Sequence, residues 1–427
     1  MSKSAIECIL GRRLWDSRGR PTIEVETRLV SGAIGRALAP AGASTGSGEA
    51  VDLRDGGARF QGRDVLTALN AVRTRIAPAL IGLDAEDQCA IDAKLIALDG
   101  TPDKSALGGN AIVAASMSAA HAAAHNAGVP LWRYLAGDRP VRLPLPEIQI
   151  FGGGAHAGRR VDIQDFMVIP VGAASYTEAL DWTAEVYSSA GTLMAETGCL
   201  AGVADEGGFW PMFRTNAEAL DMLLRAIERA GFRPGEQVAI SLDIAASQFG
   251  EAGCYRLGLE QRELDSDGMA GLILDWISRY PIVAIEDPLA EDDSTGFVRF
   301  RAAAGNVAVV GDDFLVTDAH RIRAAAASGA CNTALIKVNQ AGTLTETKAA
   351  FDAAVESGWN TIISARSGET EDVTIVHLAV GWGSHMLKVG SFARSERMAK
   401  WNEGLRIAET LGGDGALPPR SAFPWGT

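Results

Sequence analysis

The sequence predicts an α/β protein, with an N-terminal α+β domain over residues 1–138 and a β/α barrel over residues 139–427. Two observations carry this expectation. The first part mixes an alternating strand with long alanine-rich segments. The second part repeats a short apolar strand followed by a helical segment, again and again.

PTIEVETRLV (21–30) alternates apolar and polar residues, which predicts a half-buried strand. AIGRALAPAGASTGSGEA (33–50) passes from strand into a loop of small residues. Residues 105–136 are dominated by alanine and predict helices that close at Gly137. DRPVRLPLPEIQ (138–149) carries Pro140, Pro144 and Pro146, which oppose a helix and mark the domain boundary.

From about residue 147 the strand segments are DFMVIPV, QVAISLDIA, PIVAIEDP, VAVVGDDF, TALIKVNQ, NTIISARS and HMLKVGS. Thr215 with Glu218, and Thr343 with Glu346, form capping boxes, and Gly231 and Gly358 are the matching stops. Strands apolar on both faces that alternate with helices predict a parallel sheet covered on both sides. Seven or eight such units in about 280 residues predict a closed barrel rather than an open sheet.

The 427 residues can bury a large core, and the composition (47% hydrophobic, 22% charged) is that of a globular protein. A net charge of −14 argues against nonspecific nucleic-acid binding, and no apolar run is long enough to predict a membrane span. MSKSAIECILGRR has no apolar core of a secretion signal. Cys8, Cys89, Cys199, Cys254 and Cys331 are scattered without metal-binding spacing, so neither zinc nor a disulfide framework is expected. The expectation is a cytoplasmic protein.

Charged residues sit at the strand ends. Asp243 follows VAISL, Glu286 follows IVAI, Asp312 follows VAVVG, Lys337 follows TALI, Arg366 and Ser367 follow TIISA, and Lys388 follows HML. The steps are 43, 26, 25, 29 and 22 residues. About 25 residues is one strand–helix unit, so the step of 43 predicts an insertion. Parallel barrel strands would bring all these side chains to one mouth. One acid at a strand end is usually a helix cap, but caps do not explain six charged positions in phase with six strands. Three carboxylates suit Mg²⁺. A desolvated lysine among other cations can have a lowered pKa and act as a base. A second lysine can stabilise an oxyanion, and Arg366 with Ser367 can hold a phosphate.

These residues resemble the enolase (phosphopyruvate hydratase) family over nearly the whole chain. The matching stretches include DSRGRPTIEVE (16–26), GASTG (42–46), KSALGGNAI (104–112), VDIQDFM (161–167), DEGGF (205–209), IEDPL (285–289), GDDF (311–314), IKVNQ (336–340), RSGETED (366–372) and ARSER (393–397). The resemblance implies a modified, enolase-type TIM-like barrel, a homodimer or higher homo-oligomer, and a small phosphorylated carboxylic acid as substrate. It implies two Mg²⁺ sites. Asp243, Glu286 and Asp312 hold the first, and Ser44, in a mobile loop, helps recruit the second together with the substrate. It implies Lys337 as the base that removes the proton α to the carboxylate, Glu206 as the acid beside the departing hydroxyl, and Lys388 at the substrate carboxylate. Arg366 and Ser367 match the phosphate contacts, His156 a residue of a closing loop, and Gln164 and Asp165 the family's Gln-Glu pair.

The chain departs from the pattern at several of these places. Ala365 replaces a histidine, Asp165 a glutamate, Gly152 an asparagine, Val389 a threonine and Ala204 a glycine. Ala365 and Asp165 fall where the family surrounds the leaving hydroxyl, which predicts extra volume and fewer proton-handling groups beside Glu206. Three readings stay open at this point: dehydration of 2-phospho-D-glycerate to phosphoenolpyruvate, elimination from a related phospho- or phosphono-carboxylic acid, and a non-catalytic binding protein. Racemases and cycloisomerases of the superfamily are disfavoured, because Lys337 and Lys388 lie on separate strands. His121 and His125, four apart on a helix, are expected to take a helix-surface or packing role rather than to bind metal. FGGGAHAG is not a dinucleotide loop.

Overall fold

A computed structural model describes residues 2–43, 45–413 and 415–426 of the chain. The first part is an antiparallel meander of β1 (Ile6–Trp15), β2 (Pro21–Leu29) and β3 (Ile34–Leu38), packed against helix Gly109–Asn126, which helix Gln88–Asp99 flanks. The alanines of helix Gly109–Asn126 allow close approach. A Cβ placed on Gly35 of β3 would lie 2.1 Å from the Ser118 carbonyl oxygen, so strand and helix backbones touch. The expected half-burial of β2 holds only at Glu24 and Arg28, because Thr22, Glu26 and Thr27 are buried too. Glu26 accepts from Arg12 and Arg36, each at 2.8 Å, and the Thr27 hydroxyl pairs with Ser118 at 2.8 Å. Partnered polar atoms make such burial tolerable.

The second part is a closed barrel. Its strands are β4 (Leu145–Gly152), β5 (Asp165–Ile169), β6 (Ala239–Asp243), β10 (Ile282–Glu286), β11 (Ala308–Gly311), β12 (Thr333–Ile336), β13 (Asn360–Ser364) and β14 (Met386–Ser391). Between β6 and β10 a small sheet of β7 (Gly250–Glu251), β8 (Cys254–Leu257) and β9 (Arg262–Asp265) fills the long step predicted there. The Thr215 and Thr343 side chains accept from the backbone N–H groups of Glu218 and Glu346, as the capping boxes require. No helix among the described residues is long and apolar enough to cross a membrane.

One strand is added to those expected, and one expectation changes. The eighth strand, β4, lies in the proline-rich stretch read as a boundary. Pro146 sits inside it, opposite Leu387, where proline is unusual. The barrel is also not all parallel. β5 runs antiparallel to both neighbours, with Asp165 beside Gly152 on one side and Asp243 on the other. A strand buried on both faces carries no pattern that reveals its direction. The reversal puts the first residue of β5 at the mouth where the other strands end. The connection from β5 to β6 then climbs along helix Tyr176–Glu196, turns at the mouth and descends along helix Asn216–Arg229.

Candidate active site

Each strand end supplies its side chain because an apolar run fills the barrel interior and the chain turns polar where it leaves. Asp243, Glu286, Asp312, Lys337, Arg366, Ser367 and Lys388 are all buried at this mouth. Lys388 Nζ lies 2.9 Å from Asp243 Oδ2 and 2.7 Å from Glu286 Oε2. Lys337 Nζ is bonded to Asp312 Oδ2. Burial pulls both amines down, yet the facing carboxylates win and hold both above the usual lysine range. The lowered lysine pKa expected from sequence is therefore corrected for this state of the site.

The carboxylates are unequal. Burial, then Asp243, drives Glu286 well above the usual range. Burial raises Asp312 too, but Lys337 and Arg366 outweigh it and hold it low. Behind the triad, Asp287 accepts from the backbone N–H groups of Asp312 and Asp313, at 2.9 and 2.7 Å. It does so with a φ of 40°, a strained value for a residue with a side chain.

These residues suit a divalent cation. Three hard oxygen donors, Asp243, Glu286 and Asp312, end adjacent strands, and Glu286 Oε1 is buried without a hydrogen-bond partner among the described residues. An orphaned carboxylate oxygen in a buried site asks for a positive ligand.

The opposite wall is built by β5 and two mouth loops. His156 Nε2 lies 3.7 Å from both Asp165 Oδ1 and Glu206 Oε1. Burial pushes the Asp165 carboxyl up to about 6 against the pull of His156 and Lys388. Glu206 is also penalised by burial, but His156 and Arg397 hold it below its usual range. Gln164 Nε2 donates to Asp243 Oδ2 at 2.8 Å, joining this wall to the triad. Ala365 and Val389, whose side chains are apolar, line the same cavity as His156, Asp165 and Glu206. Ser44 lies outside the described residues.

Several working residues carried no signal of their own. Glu49 holds Arg366 through Nη1 at 2.9 Å and accepts from Gln340 at 3.2 Å, while Gln340 donates to Asp312 at 2.9 Å. Arg397, inside the ARSER stretch, is fully buried and donates to the Arg366 and Val389 carbonyls at 2.7 and 2.8 Å. Glu147 of β4 is buried in the barrel interior and bonded to Ser241. Arg397 and Gln340 lie in family-matching stretches, whereas Glu49 and Glu147 do not. His121 bonds Thr374 at 2.8 Å, and His125, exposed on the helix surface, bonds the Ile34 backbone at 3.1 Å.

Comparison with known proteins gives two family matches along the chain. "Enolase, N-terminal domain" matches residues 6–135, and "Enolase, C-terminal TIM barrel domain" matches residues 140–422. The protein called Enolase 1 from Desulfitobacterium hafniense (strain Y51) is 46% identical over 422 residues, covering 98% of this chain and 97% of the relative.

Proposed function

The chain belongs to the enolase family, and from that premise we propose how its residues carry out the family's dehydration. It is a hydro-lyase of the phosphopyruvate hydratase type that uses a divalent metal and a small phosphorylated acid, 2-phospho-D-glycerate, as substrate. The observation that supports the residue roles best is the pairing at the mouth. Both lysines are bonded to carboxylates of the triad, and Glu286 Oε1 is buried without a partner among the described residues.

Mg²⁺ held by Asp243, Glu286 and Asp312 would supply the positive charge that removal of a proton next to a carboxylate demands. A second Mg²⁺, recruited with the substrate and helped by Ser44, rests on the sequence resemblance. Arg366 and Ser367 hold the phosphate, and Lys388 meets the substrate carboxylate. Lys337 takes the α-proton, and to do so it must first leave its bond to Asp312. Base function and ligand function are thus linked through one oxygen.

The carbon–oxygen bond at the next carbon then breaks. Its electron pair leaves with the oxygen, which takes a proton and departs as water, while the pair left on the α-carbon becomes the double bond. Glu206 stands on the leaving-group side as the acid. Asp165, raised to about 6, keeps a proton nearer neutrality, so His156, Asp165 and Glu206 handle this proton together. Gln164 steadies Asp243 from the same side.

The test is growth of phosphoenolpyruvate absorbance from 2-phospho-D-glycerate with purified protein and Mg²⁺, beside Lys337→Ala. Turnover and α-proton exchange with solvent should both vanish in the variant. Exchange that survives would refute the assigned base.

A second reading has one observation in its favour, the apolar side chains at Ala365 and Val389 where the family carries polar groups. It gives the site a related phospho- or phosphono-carboxylic acid with a different substituent on the reacting carbon. Ala365→His separates the two. Faster turnover of 2-phospho-D-glycerate supports the first reading, and no turnover in either protein supports the second.

We further propose a domain boundary at 138/139, supported by the strand-poor stretch before β4. A homodimer or higher homo-oligomer follows from the family resemblance. A cytoplasmic setting agrees with five free cysteines.

A further inference from the structure

Gln149 is fully buried in β4. Its amide bonds in two directions. Nε2 donates to Asp165 Oδ1 on β5, and Oε1 accepts the backbone N–H of Gly208 at 2.9 Å. Gly208 belongs to the loop that carries Glu206. The partners fix the orientation of the amide, because a carboxylate accepts and an N–H donates. Turning the amide over would lose both bonds.

The surroundings leave the amide no freedom. A Cβ on Gly208 would lie 2.4 Å from Gln149 Oε1. A Cβ on Gly152 would lie 2.8 Å from the Ala204 methyl and 3.2 Å from both amide atoms of Gln149. Two of the departures from the family pattern are therefore one packing exchange. The side chain missing at Gly152 leaves the space that the Ala204 methyl closes, beside the amide. The Ala204 backbone N–H in turn donates to the Gly208 carbonyl at 2.7 Å, which ties the loop to itself.

We propose that Gln149 is a positioning residue for the leaving-group side. It fixes the Asp165 carboxylate relative to the Glu206 loop, so that His156 stands between two carboxylates of set separation. The inference rests on the reading that Asp165 and Glu206 serve departure of the hydroxyl. It adds a residue whose side-chain hydrogen bonds go to Asp165 and Gly208, not to the carboxylates assigned to the metal or to Lys337.

The test follows from the order of bond breaking. Gln149→Leu removes both bonds at similar volume. On 2-phospho-D-glycerate with Mg²⁺, kcat should fall by about tenfold or more, the loss of a hydrogen bond to a charged group. KM and the rate of α-proton exchange into heavy water should stay within about threefold, since the Lys337 side is untouched. Unchanged kcat, or exchange that falls in step with kcat, would overturn the proposal. Should Gln149→Leu fail to fold, as judged by its thermal transition, Gln149→Glu carries the test. That variant keeps the acceptor for Gly208 and loses the donor to Asp165, and the same split is expected. An unaltered protein with neither exchange nor turnover would overturn the underlying reading, and the inference with it. The two failures are thereby distinguishable.

Discussion

Glu49 Oε2 accepts a hydrogen bond from Arg366 Nη1 at 2.9 Å, joining the loop that follows β3 to the end of β13. The same guanidinium nitrogen donates to Asn339 Oδ1 at 3.1 Å, so one edge of Arg366 is held from behind. Charge-assisted bonds between buried partners hold geometry as well as charge. Glu49→Gln should raise KM for the phosphorylated substrate by about tenfold or more, with a smaller effect on kcat. Steady-state kinetics decides it, and an unchanged KM would show that Arg366 needs no backing.

Glu286→Gln removes charge from the oxygen pair that includes the unpartnered Oε1. Metal that binds only the folded state stabilises it by about 2.7 kcal/mol at a hundredfold excess over Kd. The unaltered protein should therefore melt a few degrees higher with Mg²⁺ than with a chelator. The variant should lose most of that difference. Equal shifts in both proteins would remove Glu286 from the ligand set.

Asp287→Ala would leave the buried N–H groups of Asp312 and Asp313 without their carboxylate. Groups that orient a ligand from behind typically change metal affinity by about 10–100-fold when removed. The Mg²⁺ concentration for half-maximal activity should rise by that order, while KM at saturating metal changes little. A titration of activity against Mg²⁺ measures it.

His377 lies where the alanine-rich helix meets the barrel, its ring 6.2 Å from that of His121 and its Nε2 3.5 Å from Glu403. Burial, and then His121, depress its pKa to about 4. The sign follows from linkage. The folded pKa lies below the unfolded value of about 6.5, so the unfolded chain binds the proton first. Stability is intact above about pH 6.5 and falls as the pH drops toward 4, by up to roughly 3 kcal/mol for this one group. His377→Phe should flatten the pH dependence of the melting temperature across that window. An unchanged slope would exonerate His377.

The catalytic half of the site was legible for a physical reason. Asp243, Glu286, Asp312, Lys337 and Lys388 each follow or end an apolar run, so a charged residue at a barrel strand end announces itself. Gln149 and Glu49 do not stand out, because their partners are distant in sequence. Glu49 and Arg366 are 317 positions apart, and a lone Gln inside a strand looks like any polar residue. The direction of β5 was hidden for another reason. All five of its residues are buried, so neither alternation nor polarity distinguishes up from down. The pairing of the lysines is hidden in the sequence, which shows the charges that exist and not which of them meet. Lys337 faces Asp312 more closely than it faces other cations.

The reversed strand has a wider meaning. In a barrel of uniform direction, each strand–helix unit contributes one loop to the working face. Here β5 enters from that face, and the helical pair after it turns there, so Asp165 and Glu206 belong to a self-contained insert. Metal and base residues belong to the regular repeat instead. Natural variation can then exchange the cassette that governs what departs from the substrate without disturbing the frame that makes it depart. Asp165 and Ala204 fall within that cassette and Gly152 borders it at the end of β4, while the frame keeps its acids and both lysines and departs only beside them, at Ala365 and Val389.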